Sequence, residues 1–231
     1  MMKLSKRLQL IADMISQYKQ GSKIADIGTD HAYLPCYLVE NNIVSHSYAC
    51  DVAQGPYESS LSTIKQCGMQ TQVTALLGNG LEPILDKKVD MISIAGMGSY
   101  LIVDILNQHL DYLNQVNVLF LQPNANADYL RKYLFSHNFG MIDEKLIKDG
   151  HHTYEVMVVR KLQRKDIYYN ELDEEFGPIL RREQTSLFKE KWNNQYCTYK
   201  NIVKDLPNNH PRTKELNHKI EMIEEVLNES K

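Results

Sequence analysis

The chain has 231 residues, 43% of them hydrophobic, which allows one full α/β domain with a smaller appendage and excludes wholesale disorder. A net charge of −3 excludes a uniformly basic surface; residues 1–160 carry 13 basic against 16 acidic side chains, and residues 161–231 carry 13 against 13. Any attraction for phosphate must then come from local patches.

In chain order, Leu4, Leu8, Ile11 and Ile15 place one apolar stripe on a helix predicted over 3–18, which Gly21-Ser22 ends. Short strands and helices then alternate. Strands are predicted over 23–27, 47–52, 72–77, 89–94 and 116–121, and helices over 33–40, 56–66, 100–109 and 126–137. Val-, Ile- and Leu-rich strands suit burial on both faces, so the alternation predicts an α/β fold of Rossmann-like type, a mostly parallel sheet with helices on both sides. The ending differs. Runs over 141–147 and 154–159 flank Asp149-Gly150 with no room for a crossover helix, which predicts an antiparallel hairpin at one edge of the sheet.

After about Arg164 the character changes. Leu172, Phe176, Ile179, Leu187, Trp192, Tyr196, Tyr199, Val203 and Leu206 recur at mostly helical spacing. A turn over 207–211 separates them from a second stripe of Leu216, Ile220, Ile223 and Leu227. These features predict a C-terminal antiparallel helical hairpin, with domains at 1–163 and 164–231.

An open parallel sheet binds ligands beyond the carboxyl ends of its strands, and five successive strands here end in polar or glycine-rich turns. The first is Ala25-Asp26-Ile27-Gly28-Thr29-Asp30-His31-Ala32, where Gly28 permits a sharp turn and Asp26 could accept a hydrogen bond from a cationic amino group. It lacks the G-x-G-x-x-G pattern, with Asp30 where the second glycine would lie. A pyrophosphate would meet the Asp30 carboxylate, so NAD is disfavoured and a ligand with a cationic end suits better. S-adenosylmethionine carries both an ammonium and a sulfonium. Asp51 ends the second strand, placed to hold ribose hydroxyls or to cap the following helix. Leu77-Gly78-Asn79-Gly80-Leu81 offers an amide to an adenine edge, or is a plain Asn-Gly turn. Ile92-Ser93-Ile94-Ala95-Gly96-Met97-Gly98 bares backbone to a ligand, or needs glycine for packing. Leu121-Gln122-Pro123-Asn124 puts amides at the same crevice, with Asn124 better read as a helix cap.

The segments LSKRL, ADIGTDHAYLP, ACDV, LGNGL, IAGMG, LQPN and the late Thr153-Tyr154-Glu155-Val156 run resemble the bacterial tRNA (adenine-22-N1) methyltransferase family, from Leu4 to about Arg160. The resemblance implies a class I methyltransferase fold, S-adenosyl-L-methionine as donor, methylation of adenine N1 in the D-arm region of tRNA, and a coiled-coil-like tail that helps hold tRNA. By position it implies that Asp26, Gly28, Thr29, His31 and Tyr33 line the methionine side of the donor. Asp51 and Val52 would hold ribose and adenine, Asn79 and Gly80 would meet the adenine edge, and Ala95, Gly96 and Met97 would border the transferring methyl. Ser5 and Arg7 lie in the matching N-terminal segment, with Arg7 able to pair with the donor carboxylate. Ser99 stands where the family pattern leads to glycine, and its hydroxymethyl could narrow the base pocket.

Adenine N1 carries an in-plane lone pair, so catalysis requires alignment more than a general base. The methylated base is cationic, and Asp30 is the candidate to stabilise it, with His31 an alternative polar contact better read as donor-binding. A paired adenine must be flipped out, with Tyr33 or Tyr100 available to stack on it or simply packed. His151 and His152 read as a solvated turn. Arg181, Arg182, Lys189, Lys191, Lys200 and Lys204 could track phosphates or form an ordinary solvated helix face.

Two other functions fit the same residues: methylation of a small molecule, which needs no charged tail, and a non-catalytic RNA-binding scaffold. Cys36, Cys50, Cys67 and Cys197 have no C-x-x-C spacing and read as reduced thiols of a cytoplasmic protein, with no metal site. Met1 to Leu10 lacks a signal-peptide core and no apolar run approaches the ~20 residues of a membrane span, so no membrane association is expected. No obligate protein partner is implied.

Overall fold

All six residues of the run Val118–Pro123 are buried, and four of the five in Lys23–Ile27, as required in the middle of a sheet covered on both faces. The computed structural model of the chain describes residues 3–163, 167–207 and 210–229. It divides into two compact units, Met1–Tyr168 and Tyr169–Lys231. Arg164, at the expected boundary, and Asn208 and Asn209, in the expected turn, lie outside the described residues.

Among the described residues of the first unit, seven strands form one sheet: β1 (Lys23–Ile27), β2 (His46–Asp51), β3 (Val73–Leu77), β4 (Met91–Met97), β5 (Val118–Pro123), β6 (Phe139–Asp149) and β7 (His152–Lys161). The order is β3-β2-β1-β4-β5-β7-β6. The first five are parallel, and β7 runs antiparallel to both β5 and β6. The expected hairpin therefore sits at the sheet edge, with Asp149 opposite His152 and Gly150 at φ +63° in the turn between them. His151 and His152 are exposed there.

The helices of this unit are α1 (Lys6–Tyr18), α2 (Tyr33–Glu40), α3 (Gln54–Gln66), α4 (Ser99–Gln108), the short α5 (Leu110–Leu113) and α6 (Ala127–Ser136). α1 begins at Lys6 rather than at the expected residue 3 because Ser5 caps it, its Oγ accepting from Leu8 N at 3.3 Å. Ile11 and Ile15 of α1 and Leu34 and Leu38 of α2 share one core with Ile24, Met91, Val118, Phe120, Val156 and Val158 from the sheet. β4 and β5 run to Met97 and Pro123, beyond the ends expected at 94 and 121, because a bulge between Ala95 and Met97 keeps the glycine-containing end paired.

The second unit corrects one expectation. The first apolar stripe is not one helix but three: α7 (Glu171–Phe176), α8 (Pro178–Glu183) and α9 (Ser186–Asp205). Gly177 at φ +83° and Pro178 break the first junction. Gln184 at φ +43° breaks the second, and Thr185 caps α9 by accepting from Phe188 N at 3.2 Å. α9 then packs on α10 (Pro211–Asn228), the two arms of the hairpin. The unit has its own core, in which Trp192 meets Phe176 edge-on at 4.4 Å between ring centres, with Phe188, Leu216, Ile220, Ile223 and Val226 also buried. Arg181 is held within it by Glu229 and Asp173, which removes it from the side chains free to meet phosphate.

The sheet unit contains one wholly buried ion cluster. Arg131 on α6 donates through Nε to Glu144 of β6 at 2.7 Å and through Nη2 to Glu155 of β7, fastening the helix to the edge hairpin. Substituting Arg131→Met should cost about 3–5 kcal/mol in urea unfolding, because it removes the guanidinium charge that two buried carboxylates face. That deficit should shrink as pH falls and the carboxylates take up protons. A loss below about 1 kcal/mol, the scale of a surface pair, would show that the cluster contributes no more than solvated charges do.

Candidate active site

Strand order reverses between β1 and β4, and the loops leaving these strands part to form a crevice. Asp26 is buried on its β1 side and pairs in register with Ser93 of β4, whose Oγ donates to Asp26 Oδ1 at 2.6 Å. Burial pushes the Asp26 carboxyl up from 3.8 to about 6, against the lowering effect of the Ser93 hydrogen bond, with the charge of Asp51 adding to the rise. The buried Thr29 hydroxyl beside it also lowers the carboxyl, although its geometry falls short of a full hydrogen bond.

The backbone here is tightly specified. Gly28 has φ +73°, and a Cβ there would lie 2.0 Å from Met97 Cε, so the tip of the Met97 side chain reaches across from β4 over the β1 turn. Gly28 N and Thr29 N both donate to Cys50 O, at 2.8 and 3.0 Å, folding the turn over the end of β2. Asp30 (φ +60°) and Ala32 (φ +55°) take left-handed conformations, Asp30 at the position of a dinucleotide motif's second glycine. Each costs of order 1 kcal/mol in a non-glycine residue, a strain that concentrates at functional sites. The Asp30 side chain is 71% exposed, with Oδ2 3.5 Å from His31 Nε2, and the His31 ring stacks on Tyr33 at 5.2 Å.

Asp51 is half-buried and organises the neighbouring turns. Its Oδ1 accepts from Ala53 N at 2.9 Å and its Oδ2 from Asp30 N at 3.3 Å, while its carbonyl accepts from Gly78 N at 2.9 Å. The cap residue of α3 is Ala53, so Asp51 braces the turn before the helix rather than standing at its cap position. Val52 beside it is 67% exposed, an apolar surface on the β2 side of the crevice. Asn79 is exposed and Gly80 has φ +51°; they lead into a short 3₁₀ turn at Glu82–Ile84, not into a hairpin.

On the other side, Gly96 (φ +79°) is the bulged residue between Ala95 and Met97. A Cβ on it would come within 3.0 Å of Arg7 Nη1. Gln122, wholly buried at the end of β5, accepts on Oε1 from Arg7 Nη1 at 2.5 Å and from Gly96 N at 3.1 Å, and donates to Asn124 Oδ1 at 3.2 Å. Asn124 Nδ2 donates back to Gly96 O at 2.7 Å. The Arg7 guanidinium lies 5.2 Å from the centre of the Tyr154 ring. Asn124 thus fixes the bulge and does not cap α6, whose cap residue is Asn126. Ser5 is exposed, its hydroxyl engaged in capping α1. Ser99 is buried and donates to Ala125 O at 2.7 Å, so its hydroxymethyl is turned into the β5–α6 loop rather than into the crevice.

The sequence already places Gln122 at the crevice as an amide ending an otherwise apolar strand, whereas nothing local joins Tyr154 to Arg7, 147 residues away in the chain. The described residues contain no group of three or more His, Cys, Asp or Glu able to hold a metal ion. Burial pushes the Cys36 thiol up to about 12 and Cys50 further, so neither is a ready nucleophile.

The strand order, the single reversed strand β7 and the crevice at the β1/β4 switch define a Rossmann-like class I methyltransferase. A family model described as tRNA (adenine(22)-N(1))-methyltransferase matches residues 24–225, and the chain belongs to that family. The tRNA (adenine(22)-N(1))-methyltransferase of Bacillus subtilis (strain 168) is 35% identical across 98% of each chain. A Streptococcus pneumoniae protein solved in complex with S-adenosyl-L-methionine is 34% identical, with 97% of this chain and 100% of that one covered and a TM-score of 0.88. The M. capricolum protein solved with S-adenosyl-homocysteine is 30% identical over 96% of each, with a TM-score of 0.86.

The raised Asp26 carboxyl makes a stability prediction for the ligand-free protein. The native state holds the proton more tightly than the unfolded chain, so this contribution is fully present below about pH 4 and lost as pH rises through about 6. Asp26→Asn, which keeps an acceptor for Ser93, should gain on the wild type as pH rises, reaching about 3 kcal/mol at pH 7. Urea unfolding of both proteins across this range measures it. A stability difference that stays constant with pH contradicts the burial of an ionisable Asp26.

Proposed function

We propose that this chain transfers a methyl group from S-adenosyl-L-methionine to N1 of adenine 22 in tRNA, in the cytoplasm. The observation that carries this reading is the crevice itself, a buried carboxylate on one wall and a glycine bulge on the other, in a chain matched to the family over residues 24–225.

The donor supplies an electrophilic methyl on a sulfonium, which adenine N1 can take with its in-plane lone pair without prior removal of a proton. Asp26 and the Thr29 hydroxyl beside it suit the cationic amino end of the donor, with Gly28, His31 and Tyr33 lining the same end. Asp51 faces ribose hydroxyls, Val52 gives the adenine ring an apolar contact, and Asn79 and Gly80 border its edge. Ala95, Gly96 and Met97 wall the reacting side, held by Gln122, with Arg7 and Ser5 on the N-terminal segment that reaches them. These residues contribute by fixing orientation. Asp30, exposed and next to the crevice, is available to offset the positive charge that appears on the base. Exposed Arg182, Lys189, Lys200 and Lys204 on the helical unit offer phosphate contacts, with Lys200 3.6 Å from Glu224.

Incubation with unmodified tRNA and labelled donor, followed by mapping of the modified nucleotide, tests the function. Label on adenine N1 at position 22 is the expected result, and no transfer to any tRNA sinks it. Asp51→Ala should weaken donor binding by about 1.5–3 kcal/mol in calorimetry, with the circular dichroism spectrum unchanged. Unchanged donor affinity in the folded variant removes the ribose role.

The helical unit has a separate core, so a chain ended at Tyr168 should still fold and bind donor. It should bind tRNA more weakly and with a flatter salt dependence, having lost its share of phosphate contacts. Full tRNA affinity in the shortened protein would remove the helical unit from RNA binding.

A further inference from the structure

Two tyrosines stand in the open beside the reacting wall. Tyr100 lies in the first turn of α4, just after the IAGMG end of β4, and Tyr129 in the first turn of α6, just after β5. Their ring centres are 4.4 Å apart with the planes at 47°. Even in contact, Tyr100 is 58% exposed and Tyr129 39%, and the neighbouring Leu101 is 51% exposed. β4 and β5 are adjacent and parallel, so both helices start from the rim that carries the Gly96 bulge. The Ser99 bond to Ala125 O and the Asn124 N bond to Met97 O at 2.7 Å tie the two helix starts together and hold the rings in register.

We propose that Tyr100 and Tyr129 form a stacking platform for the flipped target adenine at the entrance to the crevice. This rests on the proposal that the chain methylates tRNA. Single exposed apolar side chains are ordinary, but two exposed rings in contact beside the site form an apolar surface that a ligand can cover. An extruded base has two apolar faces to cover, and aromatic side chains are the usual partners of unstacked bases. The charges nearby are Asp104, exposed one helical turn from Tyr100, Asp128, adjoining Tyr129, and Lys132, exposed one turn beyond Tyr129. Two carboxylates against one ammonium suit a base that becomes cationic better than a phosphate. Neither tyrosine hydroxyl has a hydrogen-bond partner among the described residues, so the rings are the working part of both side chains.

The test uses the full chain with Tyr100→Ala, Tyr129→Ala and the two Phe variants. Each Ala change should raise KM for unmodified tRNA roughly 5- to 150-fold, the scale of one lost base stack, and leave donor affinity and the salt slope of tRNA binding in place. Phe at either position should recover most of that loss. A tRNA transcript with 2-aminopurine at position 22 should show a fluorescence change on binding wild-type protein that the Ala variants lose. Wild-type protein that methylates tRNA, with Ala variants that match its KM and its fluorescence change, overturns the platform and leaves the parent function standing. Ala variants that lose thermal stability but not tRNA affinity also overturn it, assigning the rings to packing. Wild-type protein that fails to methylate tRNA overturns the parent function instead.

Discussion

Two adjacent parallel strands whose connections leave in opposite directions cannot close the space between their carboxyl ends, and the chemistry of this protein is built in that gap. β1 and β4 pair in register from Ile24 opposite Met91 to Ile27 opposite Ile94, then diverge. What the divergence leaves is a place where backbone can approach a ligand from two sides. Gly28 and Gly96 make that approach possible, since side chains there would collide with Met97 and Arg7. Asp26 sits at the floor of the gap, where burial makes its charge costly unless something positive arrives. Under the proposed function, a donor with a cationic end would offset the cost of that buried charge.

The two walls do different work. On the β2 side, Asp51 braces three turns at once through its two carboxylate oxygens and its carbonyl, so the residue proposed to meet a ribose also fixes the loops around it. On the β5 side, Gln122 takes the same role without charge, joining Arg7, Gly96 and Asn124. A neutral amide suits that wall, because a carboxylate there would compete for Arg7 and an apolar side chain would leave the Gly96 N–H unpaired.

Most of the sheet was legible because its signals are local. Strand positions follow from short Val- and Ile-rich runs, and the edge hairpin from Asp149-Gly150. The glycine turns marked the crevice because glycine at a strand end has few other uses. Three features were not legible. The Arg7, Gln122 and Tyr154 cluster brings Arg7 to two residues that each lie more than a hundred positions away. The Tyr100 and Tyr129 pair depends on two helices starting from neighbouring strands. The breaks at Gly177 and Gln184 lie inside an apolar stripe whose spacing continues through them, and Gln184 adopts a left-handed conformation that its residue type does not announce. Ser99 shows the opposite hazard: its position next to the base-binding wall suggested a narrowed pocket, and only its bond to Ala125 O shows the hydroxyl facing elsewhere.

The central claim is that a cationic donor end completes the buried Asp26 site, and proton linkage tests it directly. Near pH 6 the Asp26 carboxyl of the free protein is partly protonated, so binding that places a cation beside it must expel a fraction of a proton. Calorimetric titration with S-adenosyl-L-methionine in two buffers of different ionisation enthalpy measures that release. The account predicts proton release near pH 6, little near pH 8, and none attributable to this site in Asp26→Asn. Binding at pH 6 with no buffer-dependent heat, or with the same release from Asp26→Asn, would contradict it.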